Sequence, residues 1–104
     1  MASLKEYHDF IIDSIGLSDD ITSKKMMGEY LLYYKDILFG GIYDNRFLIK
    51  DTPSARKLMP GAPEELPYSG AKPMLLVENL EDKKFLTDLI VAICGELLAG
   101  RRLS

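Results

Sequence analysis

"TSKKMMGEYLLYYKDILFGGIYDNRFLIKD", residues 22–51, decides the fold of this chain. Tyrosine, phenylalanine and branched residues crowd it, and short polar pairs interrupt it, which is the pattern of strands joined by tight turns. Lys35-Asp36 and Asp44-Asn45 stand where two-residue hairpin turns fall, and Asp and Asn tolerate the left-handed geometry those turns need. Connections this short force antiparallel neighbours, because a parallel crossover takes about a dozen residues. The stretch therefore predicts a meander of three strands, the first carrying a bulge at Gly28. Alternation puts Tyr30, Leu32 and Tyr34 on one face and Leu31 and Tyr33 on the other. Both faces of the sheet are then apolar, and Met26 and Leu32 are expected in the core.

Upstream, Leu4, Tyr7, His8, Ile11, Ile12 and Ile15 fall at spacings of three and four and predict a helix over residues 4–15. Ser3 and Glu6 form a capping-box pattern at its start, and Gly16 is placed to stop it. Downstream, Thr52 caps a short helix opened by Pro53 and running to Met59. Pro60, Pro63, Pro67 and Pro73, with Gly61 and Gly70, then impose an irregular loop anchored by Leu66, Tyr68 and Ala71. A fourth strand follows at 74–78. Asn79 is expected to cap a long helix carrying Phe85, Leu86, Leu89, Ile90, Ile93, Leu97 and Leu98, with Gly100 at its end. The order predicts an α+β, two-layer domain: an antiparallel β-meander flanked by N- and C-terminal helices. Its 104 residues are read as a single domain spanning 1–104.

Net charge is −3, from 13 basic and 16 acidic residues, which argues against a tight binder of duplex DNA. Cys94 is the sole cysteine, so no internal disulfide forms, and its run "LIVAIC" reads as a buried thiol. No leader pattern and no apolar run of membrane-spanning length occurs, so a cytoplasmic protein is expected. With one His and one Cys, no metal-ligand pattern arises, and "FGGIYDNR" lacks the spacing of a phosphate-binding loop. No catalytic constellation is complete, so no catalytic residue, cofactor or metal is assigned and an enzyme is not expected.

The ordered set of motifs resembles the N-terminal domain of the TfoX/Sxy family. "SKKMMGEYLLYYKDILFGGIYDNRFLIKDT" matches that family's run of a basic residue, Met-Phe-Gly, an aromatic strand and a strand ending in Leu-x-Lys. "PYSGAKPMLLV" matches its Tyr-x-x-Gly…Pro-Met stretch, and the likeness covers about residues 3–98. By position the motif falls on Lys25, Met26, Gly28 and Tyr30, on Leu38, Phe39 and Gly40, on Leu48 and Lys50, and on Tyr68, Gly70, Pro73 and Met74. Met27 stands where the family usually has Phe, and the family's C-terminal helical domain has no counterpart here. The resemblance implies a regulatory module tied to competence, the uptake of transforming DNA, acting through protein contacts.

Two functional classes follow. The first is a protein-interaction module with a protein partner, working as a homodimer, since two apolar sheet faces exceed what the helices can cover. The second is a single-stranded nucleic-acid-binding module using tyrosines of the sheet as stacking platforms. For the first, Lys25, Glu29, Tyr30, Lys50, Tyr68 and Lys72 are the candidate partner-binding residues. Glu29 follows Lys25 by four residues on one predicted strand, and the "YSGAKP" loop is expected to bring Tyr68 and Lys72 beside them. Such a rim suits an acidic or phosphorylated partner.

Overall fold

A computed structural model describes the backbone of residues 5–16 and 19–103, with side chains through residue 100. The elements in chain order are α1 (Lys5–Ile15), β1 (Ile21–Met26), β2 (Glu29–Tyr34), β3 (Ile37–Tyr43) and β4 (Arg46–Ile49). They continue with α2 (Pro53–Leu58), β5 (Glu64–Glu65), β6 (Met74–Leu76) and α3 (Lys83–Leu103). The described residues form a six-stranded antiparallel sheet of order β1-β2-β3-β4-β6-β5. The α+β fold is thus as expected, with helices before and after the sheet.

The meander has four strands rather than three. Met27 and Gly28 both take positive φ, 53° and 84°, and form a two-residue turn between β1 and β2. A hairpin needs left-handed geometry at both central positions, and glycine supplies it at the second without strain. Lys35-Asp36 and Asp44-Asn45 turn the chain in the same way, with φ between 48° and 67°. The bulge lies elsewhere. Leu32 pairs with Gly40 but Tyr33 pairs with Leu38, so Phe39 is the extra residue on β3.

One face of the sheet meets all three helices. Ile11 and Ile15 of α1, Ala55 of α2 and Leu86, Leu89, Ile90 and Ile93 of α3 pack on Tyr30, Leu32, Phe39, Ile42, Phe47 and Leu75. Leu32 is fully buried, as expected. Met26 is not: it is 46% exposed, because the turn at Met27-Gly28 sets it opposite Glu29, on the other face from Tyr30. The helix stripe of α1 holds, with Ile11 and Ile15 buried and Tyr7 and Ile12 packed at the margin, while Leu4 and the Ser3 cap lie outside the described residues.

Local caps explain where the other helices begin. Thr52 Oγ1 accepts the Ala55 N–H at 3.1 Å, as a residue before Pro53 should. Asp82, not Asn79, caps α3: its Oδ1 accepts the Phe85 N–H at 3.0 Å. Residues 77–80 form no regular element after β6, and the Val77 N–H still reaches Phe47 O, which delays the helix. Nor does Gly100 end α3, whose backbone continues to Leu103; one glycine costs a helix only about 1 kcal/mol. Leu66 and Tyr68 do not anchor the proline-rich loop, being 49% and 64% exposed. Arg46 holds it instead, donating to Glu65 Oε1 at 2.6 Å and to Leu66 O at 3.2 Å.

Candidate functional site

The sheet face opposite the helices is built by the alternate residues of the same strands. Register places Met26 beside Glu29, Lys24 beside Leu31 and Thr22 beside Tyr33, and it carries on across Leu38, Gly41 and Leu48 to Leu76. No helix among the described residues covers this face. Residues 67–74 fold over part of it, and between this loop and the strands lies an open cleft of about 670 Å³. Leu38, Gly40, Tyr43 and Lys50 line it from the sheet; Tyr68, Lys72, Pro73 and Met74 line it from the loop.

The glycine pair of β3 makes this arrangement. At Gly40 a Cβ would collide with the backbone of Leu48 and Ile49 on β4. At Gly41 a Cβ would stand 2.8 Å from Cε2 of Tyr43, whose ring therefore lies close against the strand. Tyr43 also faces Tyr68, with ring centroids 6.4 Å apart and planes inclined at 54°. Burial holds the Tyr43 phenol above its ordinary value, and Tyr68, Glu29 and Tyr33 push the same way, so it stays a neutral donor at neutral pH.

The charges around the cleft are unequal in their engagement. Asp51 is held by Arg56 through two hydrogen bonds of 2.6 Å, which keep its carboxyl below the usual range despite some desolvation. Lys50 and Lys72 make no ion pair or side-chain hydrogen bond among the described residues. The Cys94 thiol, on the helix side, is pushed up to about 11 by burial, with Lys50 pulling slightly the other way. No group of three or more His, Cys, Asp or Glu that could hold a metal occurs among the described residues.

Of the residues singled out from the sequence, Lys50, Tyr68 and Lys72 come together in this cleft. Lys25, Glu29 and Tyr30 do not join them. Lys25 pairs with Tyr30 on the helix side, on the edge strand β1, whereas Lys72 precedes β6 near the opposite edge. Tyr30 is buried there, its ring 4.3 Å from that of His8, which in turn bonds Ser23 at 2.9 Å. Glu29 faces the open side but is at the far end, its Oε2 accepting the Asp44 N–H at 2.6 Å. The shared face assumed for Lys25 and Glu29 fails because a turn, not a continuous strand, separates them. Sequence reasoning did not give Tyr43 its place in the cleft; the Gly40-Gly41 pair two residues before it was the legible sign of a close approach.

The fold and the cleft define a small α+β domain with one sheet face covered by helices and one left open. The chain is 30% identical over 102 residues to an uncharacterized 12.7 kDa protein in the trpE 5′ region of Spirochaeta aurantia, covering 97% of this chain and 89% of the other. It belongs to the family of that protein. No family profile and no solved structure matches it. Among the described residues no helix is long and apolar enough to cross a membrane.

Proposed function

We propose that the protein is a regulatory protein-interaction module of the kind its motifs resemble, the N-terminal domain of TfoX/Sxy regulators of competence and DNA transformation. It acts in the cytoplasm without catalysing a reaction, bears on transcription through a protein partner, and works as a homodimer. The observation that supports this reading most is the uncovered sheet face and its hairpin tip. Met27 is 97% exposed at φ 53°, and Met26 beside it shares the open face with Leu31 and Tyr33. An apolar side chain held in left-handed backbone in full contact with water is costly on both counts, and contact with a partner offsets the second.

The test combines mass and capture. Light scattering at tens of micromolar should give twice the chain mass, and Met27→Asp with Tyr33→Asp should return it to that of one chain. A tagged native protein should retain a partner at physiological salt, and the same pair of substitutions should release it. Loss of the gene should lower the frequency of natural transformation. A monomer that captures nothing overturns the reading.

A second reading, binding of single-stranded nucleic acid, has its own support: Tyr33, Tyr43 and Tyr68 share the open side with Lys24, Lys50 and Lys72. Oligonucleotide affinity that falls steeply with salt would favour it.

A further inference from the structure

We propose that the cleft between the sheet and residues 67–74 is a binding site for a small anion carried on a molecule with a flat aromatic ring. A nucleoside monophosphate and an aromatic carboxylate both have that chemistry. The site goes beyond the partner-docking face, whose hairpin tip lies outside it.

Three properties of the cleft converge on this class of ligand. Its volume of about 670 Å³ falls within the range of small-molecule sites, roughly 300–1,000 Å³. Its walls are flat and apolar, formed by the tyrosine rings, Pro67, Pro73, Leu38 and Met74. Its lining includes Lys50, Lys72 and two tyrosines, whose side chains can all donate hydrogen bonds. Asp51, the carboxylate that lines the cleft, accepts two hydrogen bonds from Arg56, and Glu29, whose charge also reaches Tyr43, accepts the Asp44 N–H. Two lysines free of ion pairs among the described residues, beside a carboxylate already bonded to arginine, favour an acceptor-rich anion.

Tyr43 adds an independent observation. Its side chain is only 8% exposed, yet its hydroxyl makes no hydrogen bond among the described residues. No buried side-chain oxygen or nitrogen among them is left without a partner, so this hydroxyl opens into the cleft it lines. A nearly buried tyrosine normally finds a partner for its O–H. Here a ligand oxygen supplies it. Lys50 approaches from the end of β4 and Lys72 from the loop, so the anion is held from both walls while the planar body rests against Tyr43 and Tyr68.

The test is calorimetric titration of the purified chain with adenosine monophosphate, with benzoate and with inorganic phosphate. One of the two planar anions should bind saturably, and which one does so identifies the source. Inorganic phosphate should bind at least about 10-fold more weakly. Lys50→Gln and Lys72→Gln should each weaken binding by about 10-fold or more, the scale of a hydrogen bond to a charged group. Tyr43→Phe should weaken it several-fold, and Lys25→Gln, on the other face, should leave it unchanged, with all four variants melting like the parent. Binding of neither planar anion overturns the proposal, as does undiminished binding by both lysine variants. Phosphate binding as tightly as the planar anions, or affinity that climbs with oligonucleotide length, also overturns it.

Discussion

The ring of Tyr43 lies against the backbone of Gly41, two residues earlier on β3, with room for a hydrogen and nothing larger. A methyl group there would also press on Tyr30 O of the neighbouring strand, at 2.5 Å. Gly41→Ala is therefore expected to destabilise the protein by about 1–3 kcal/mol, the usual scale of overpacking, and to lift Tyr43 off the sheet. Urea denaturation measures the first effect, and a change in tyrosine fluorescence or in the Tyr43 ring resonances measures the second. An unchanged midpoint would show that the strands part at no cost.

Leu32 and Met26 separate the two faces of the sheet. Leu32→Ala should cost about 2–5 kcal/mol, since Leu32 is fully buried beneath the helices. Met26→Ala should cost under about 0.5 kcal/mol, because its side chain is half in water. Equal losses in chemical denaturation would contradict the register of β1 and β2.

Met27 holds left-handed backbone that favours glycine, asparagine or aspartate. Met27→Asn keeps the turn and removes the strain, so the isolated chain should gain up to about 1 kcal/mol in thermal or urea unfolding. If the exposed tip is a contact surface, the same substitution weakens dimer formation or partner capture while stability rises. A fall in monomer stability would mean that Met27 packs within its own chain.

Cys94 gives a prediction in pH. Burial raises its thiol from 9.0 to about 11, so the folded state holds this proton more tightly than the unfolded state. The associated stability is complete below pH 9.0 and is lost as the pH rises through about 11. Iodoacetamide at pH 8 should leave the native protein unmodified and label it fully in urea. Rapid labelling of the native chain would place the thiol at the surface.

Much of this protein is written in short spans of its sequence. The four-residue spacing of Tyr7, Ile11 and Ile15 determines α1. Thr52-Pro53 determines the start of α2, and Asp44-Asn45 determines a hairpin. These signals are legible because backbone torsions and nearby side chains settle them within a few residues. The faces of the sheet were settled otherwise. Reading Gly28 as a bulge rather than a turn sent Met26 inward and joined Lys25 to Glu29, since a shift of one position moves every following side chain to the other face. Asp82 displaced Asn79 as the cap of α3 because the Val77 N–H first pairs with Phe47 on β4. Lys50 and Lys72, 22 positions apart by their numbering, meet only because residues 67–74 fold back across β3 and β4. The sequence by itself determined α1, the start of α2 and two of the three hairpin turns. Only the tertiary structure decided which sheet face stays open and which side chains share the cleft, because both depend on strand register and long-range packing that no local stretch encodes.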